Sequence, residues 1–152
     1  MLTMNEKDKN EMLEAILNEN EAYQCKLWAV IMAGADTYAL IGGLSTLTGG
    51  AAAALGALSN AYCYLGVTEQ HLNMAIVNSV NVSKIENRLS LPLSSITKAE
   101  VKGGILPGRK VVMLHFGKEK MKISLMNNAI GSDIQGQKEN VEMFCQIVSK
   151  LV

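Results

Sequence analysis

Four basic side chains, Lys98, Lys102, Arg109 and Lys110, are the residues of this chain best suited to chemistry, and that chemistry is the holding of an anion. Lys98 and Lys102 alternate with Ala99 and Val101, which sets both lysines on one face of a strand. Arg109 and Lys110 follow Gly103-Gly104 and Pro107-Gly108, a loop signal that places them at the adjoining turn. Around them, residues 84–122 hold nine bases against three acids, an excess that attracts phosphate or an anionic surface. The competing reading is a set of solvated strand faces.

The other candidate chemistries fail on residue type or spacing. Gly103-Gly104-Ile105-Leu106-Pro107-Gly108-Arg109-Lys110 has the outline of a P-loop. However, arginine stands at its lysine position and lysine at its hydroxyl position, and it lies between strands. The two histidines, His71 at a turn and His115 on a strand face, enter no Ser-His-Asp or Cys-His order. Cys25, Cys63 and Cys145 are widely spaced, with no CxxC pair, which argues against a zinc site and a disulfide framework and for buried thiols in a reducing cytoplasm. We therefore expect no catalytic residue, no metal and no cofactor. Two Phe, four Tyr and one Trp, mostly in apolar strand contexts, are a poor platform for stacking bases, so no nucleic-acid partner is expected.

Several elements must position these residues. Thr3-Met4-Asn5-Glu6 has capping-box spacing, and Met12, Leu13, Ile16 and Leu17 share one helical stripe, which predicts an amphipathic helix over about 5–18. Its acids lie toward the positive end of the helix dipole. A strand follows over 22–33, with Trp28 and Val30 making its far half apolar on both faces. From residue 61 the apolar period is two: strands over 61–67 and 71–78 about a turn at 68–70, over 83–91 before Pro92, and over 96–102. A hairpin then carries Val112, Leu114 and Phe116 against Met121, Ile123 and Leu125. Val141, Phe144, Cys145, Val148 and Leu151 repeat at helical spacing, a closing amphipathic helix.

Between the first two strands lies an uncharged stretch. Residues 38–59 hold five glycines, six alanines and six Leu or Ile, without charge or proline. Its length suits a membrane span, yet six Leu/Ile contribute only roughly −2 to −4 kcal/mol to insertion, and basic and aromatic anchors are absent from both flanks. The chain opens with acids and amides instead of a basic then apolar leader, which predicts no secretory signal and a cytoplasmic location, with membrane association open.

An N-terminal helix, seven strands and a closing helix, together with the hairpin Tyr64-Leu65-Gly66-Val67-Thr68-Glu69-Gln70-His71-Leu72, the run Leu91-Pro92-Leu93-Ser94-Ser95-Ile96-Thr97-Lys98-Ala99-Glu100-Val101 and the ending Gly136-Gln137-Lys138-Glu139-Asn140-Val141-Glu142-Met143-Phe144, resemble the bacterial pleckstrin-homology-like (PH/GRAM-like) domains. The resemblance implies a mainly β (α+β) fold, a seven-stranded antiparallel barrel of two nearly orthogonal sheets capped by the C-terminal helix. With the residue reading this gives two units: an N-terminal amphipathic helix over 1–20, read from its spacing, and the PH-like domain over 21–152, with an apolar insertion at about 35–60 between strands 1 and 2. The resemblance also implies binding, not catalysis. In lipid-binding relatives, bases in the loop between the first two strands hold phosphates; here that loop has no Lys or Arg, so those residues have no counterpart.

The first expectation for function is a non-catalytic PH-like interaction module that self-associates as a homo-oligomer or binds a protein partner, because an apolar insertion is hard for a monomer to hide. The second is a peripheral membrane protein that uses the insertion and the basic surface. The third is a small-molecule-binding protein or enzyme with the barrel as its pocket.

Overall fold

The structure is a computed structural model, and it describes residues 3–32, 61–78, 80–103, 108–117, 119–127 and 132–151. The apolar insertion expected at 35–60 lies outside the described residues. The fold is mainly β: helix α1 (Glu6–Ala15), strands β1 (Cys25–Ile31), β2 (Ala61–Val67), β3 (His71–Val77), β4 (Ile85–Pro92), β5 (Lys98–Gly103), β6 (Arg109–Phe116) and β7 (Glu119–Met126), and helix α2 (Gln137–Ser149). A 3-10 turn, Leu93–Ser95, links β4 to β5.

All strands pair antiparallel in the order β4-β3-β2-β1-β7-β6-β5. β1 matches β2 from Cys25↔Val67 to Ile31↔Ala61, whereas it meets β7 only at Val30↔Ser124 and Ile31↔Ile123. The sheet therefore divides into a β1–β4 half and a β5–β7 half, joined by a short seam. Pro92 ends β4, an edge strand, where its missing N–H leaves no central ladder bond unmade.

Strand alternation sorts side chains into two cores. Leu27, Leu65, Met74, Leu89, Leu114 and Ile123 point inward, and the Val141, Phe144, Cys145 and Val148 stripe of α2 closes over them. This is the stripe that helical spacing predicts. Trp28, Tyr64, Ala75 and Val77 face the opposite way and are covered by Met12 and Leu13 of α1, so both faces of β1 are apolar as expected. Each of the large side chains buried in this way contributes about 1.5–3 kcal/mol.

α1 starts differently from the sequence expectation. Its N-cap is Asn5, whose side-chain oxygen accepts the Asp8 N–H at 2.8 Å, and the Thr3–Glu6 capping box does not form. Glu6 is drawn instead to Lys9, 2.8 Å away, and to the Gln135 N–H, 2.9 Å away. The buried Tyr64 hydroxyl accepts the Asn5 N–H at 2.9 Å. The helix also stops earlier than 18. Asn73, fully buried on β3, donates to the Ile16 carbonyl at 3.3 Å and to the Tyr23 hydroxyl at 3.1 Å, and Tyr23 donates to the Leu13 carbonyl. Carbonyls that a helix end leaves without partners are thus taken up by the sheet.

The Glu6 contacts make the seating of α1 pH-dependent. Desolvation raises the Glu6 carboxyl pKa, but the Gln135 amide, Lys9 and Asn10 outweigh it and bring it to about 2 from an ordinary 4.5. A carboxyl whose folded pKa is depressed stabilises the fold fully above its unfolded value. That contribution fades as pH falls from 4.5 toward 2. Protection of the α1 amides against hydrogen exchange, taken relative to the intrinsic exchange rate at each pH, is expected to fall across that window, and Glu6→Gln to flatten the dependence. An unchanged profile in Glu6→Gln would refute the assignment.

Candidate functional site

The four bases of the sequence analysis do not form one group. β6 begins at Arg109, earlier than the residue 112 suggested by the apolar pattern, so Arg109 and Lys110 are consecutive strand residues, not loop tips. Consecutive strand side chains point to opposite faces. Lys110 turns toward α2, lining a groove with Glu142, Cys145, Gln146 and Ser149. Arg109 points outward with Lys102, and Lys98 stands further along β5 within 3.4 Å of Glu100.

Lys102 and Arg109 line a surface cleft of about 320 Å³ with Lys122, which the sequence reading did not single out. The register explains the convergence. Lys102 lies opposite Val111 across β5–β6, and Lys122 lies opposite Met113 across β6–β7. The outward faces of three neighbouring strands thus present Lys102, Arg109 and Lys122 around a floor of Val111, Met113 and Met32. The alternation of Lys122 with buried Met121 and Ile123 was a readable signal for its outward direction, but not for its neighbours.

Arg109 is held in place. Its Nε–H donates to Ser124 Oγ at 2.9 Å, and Nη2 lies 4.0 Å from Met32 Sδ. Among the described residues, Glu100 is the one carboxylate lining the cleft, and it is engaged elsewhere: Oε2 is 3.1 Å from His115 Nε2 and Oε1 is 3.4 Å from Lys98 Nζ. These bonds, His115 first, hold its carboxyl below the usual range. Among the described residues, Lys102, Arg109 and Lys122 have no carboxylate partner.

The histidines are separated. His71, the first residue of β3, meets Glu21 at 2.6 Å, while His115 meets Glu100 on the other half of the sheet. All three cysteines are buried and free, and burial pushes the Cys25 and Cys63 thiols up to about 12. Such thiols are poor nucleophiles at neutral pH. Among the described residues no cluster of three metal-ligating side chains occurs, and no helix is long and apolar enough to cross a membrane. Among the described residues, the inward-facing side chains of both halves of the sheet pack with α2 into one core cluster.

No family model matches the chain, and no curated protein matches it. Among solved structures it is similar to the hSac2 domain from human phosphoinositide phosphatase Sac2, with a TM-score of 0.53 and 10% identity over 93% of this chain and 77% of that one. At that identity the likeness speaks for the fold, a mainly β, seven-stranded antiparallel arrangement with one short N-terminal and one C-terminal helix.

Proposed function

We propose that the chain is a non-catalytic PH-like binding module that docks on an anionic membrane surface through the outer face of β5–β7. The observation that carries this reading is the cationic cleft: Lys102, Arg109 and Lys122 set on an apolar floor, with the adjacent carboxylate occupied by His115 and Lys98. Among the described residues, the outer face of β1–β3 is covered by α1 and the inner core is closed by α2. The similar solved domain comes from a phosphoinositide phosphatase, which is in keeping with a lipid-facing role. Buried thiols and separated histidines favour binding over catalysis.

Each base near an anionic surface contributes about 1 kcal/mol, roughly fivefold in affinity. The protein is expected to pellet with phosphatidylserine-containing vesicles at low salt and to release as salt screens the charge. Pure phosphatidylcholine vesicles should leave it in the supernatant. Lys102→Ala with Lys122→Ala should weaken pelleting by about 25-fold on the same arithmetic. Equal recovery with neutral and acidic vesicles would overturn the reading.

A further inference from the structure

We propose that Lys102, Arg109 and Lys122 form a site for one dianionic phosphate monoester group, an inference that rests on reading the outer β5–β7 face as the one that meets anions. Three cations sharing a cleft repel one another, and the one carboxylate of its described lining, Glu100, is paired with His115 and Lys98 instead of with them. A ligand of charge −2 removes that repulsion; a single carboxylate brings one charge and two oxygens. The three strands present three separate donors, which suits the three terminal oxygens of a monoester.

Arg109 gives the site its selectivity. Its Nε–H is already bound to Ser124 Oγ, which fixes the guanidinium, and the Nη2 contact to Met32 sulfur at 4.0 Å is weak. The Nη edge is left to make two parallel bonds to one phosphate, the geometry in which arginine surpasses lysine. Met32, Val111 and Met113 keep water from one side of the cleft and so strengthen those bonds. Glu100 remains at the rim, and its pairing with His115 and Lys98 weakens its repulsion of the ligand. The cleft, at about 320 Å³, has room for a phosphate and the first atoms of whatever carries it.

The carrier can be a lipid or a soluble molecule, and the test separates them. The folded protein is titrated with inorganic phosphate while backbone amide NMR shifts are followed. It is also pelleted with vesicles containing phosphatidic acid or phosphatidylserine, adjusted to equal surface charge. The expected results are shifts centred on Lys102, Arg109 and Lys122, and at least tenfold tighter pelleting with phosphatidic acid. Arg109→Lys, which keeps the charge and loses the paired bonds, should bring pelleting with phosphatidic acid down to the level seen with phosphatidylserine. Lys110→Ala, on the opposite face, should alter neither, and thermal melts confirm that both variants fold. Equal binding to the two acidic vesicles, with no phosphate shifts, overturns the phosphate site and leaves anionic docking standing. Phosphate shifts at the three residues without pelleting support a soluble ligand and overturn the membrane reading. Neither shifts nor pelleting overturns both.

Discussion

Gln137→Leu should destabilise the protein by about 3 kcal/mol, because one buried side-chain amide closes the seam between the two halves of the sheet. β1 and β7 pair at only two positions and then part. In the space between them, Gln137 Oε1 accepts the Trp28 N–H at 3.1 Å, and Nε2 donates to the Trp28 carbonyl at 3.0 Å and the Met126 carbonyl at 2.9 Å. Asn140, one helical turn later, accepts the Lys26 N–H at 3.2 Å. The first turn of α2 thus completes the bonding of β1 where β7 has moved away. Leucine fills the same volume and leaves three backbone groups without partners, each costing about 1–3 kcal/mol, with relaxation recovering part. In a domain of this size that is a fall in Tm of roughly 6–12 °C. Gln137→Glu is the sharper variant. It keeps an acceptor for Trp28 N–H but sets a carboxylate oxygen against two carbonyls, so its deficit should shrink in acid, where the carboxyl is protonated and donates again. A Gln137→Leu protein that melts within about 2 °C of the parent, by the same scale, would show that the seam does not depend on this amide.

Gly66→Ala should cost about 2–4 kcal/mol, and most of the loss should pass through a residue distant in sequence. The Tyr23 ring lies across Gly66. A methyl group built there would stand 2.4 Å from Tyr23 Cε1 and 2.7 Å from Cδ1. A free aromatic side chain would swing away at little cost. This one is tethered, because its hydroxyl donates to the Leu13 carbonyl and accepts from Asn73. Moving the ring breaks its bonds to the Leu13 carbonyl and to Asn73, so overpacking of about 1–3 kcal/mol adds to lost hydrogen bonds. A double-mutant cycle isolates the mechanism. Gly66→Ala should be costly in the parent and cheap in a Tyr23→Ala background, with a coupling above about 1 kcal/mol. The same cost in both backgrounds would place the damage in the strand itself.

These two residues also mark where sequence reading stops. The strand over 61–67 is legible from its alternation, and a glycine inside a strand signals close approach by another group. That the group is Tyr23 is not legible, since Tyr23 reads equally well as the start of β1. Gln137 opens a segment with clear helical spacing, yet an amide at that position looks like any solvated first-turn residue. Its partner Trp28 lies 109 residues earlier. The Asn5 cap was missed for a related reason: two side chains competed for one helix start, and the contacts from Tyr64 and Gln135 decided between them.

The candidate site divides in the same way. The basic excess over 84–122 and the outward direction of Lys98 and Lys102 follow from composition and the two-residue period. The grouping of Lys102 and Arg109 with Lys122, and the turning of Lys110 toward α2, follow from where β6 begins and how it registers with β5 and β7.

By itself, then, the sequence determined the order of the elements, the inward and outward faces of the strands, and the apolar stripe of the last helix. Each of these is written in the spacing of side chains within a few residues of one another. The tertiary structure alone decided which three cations share a cleft, which helix covers which face, and how β1 is bonded beyond its seam with β7. Those outcomes depend on register and on hydrogen bonds between residues far apart in the chain, where a shift of one residue reverses the face of every side chain and leaves no trace in local spacing.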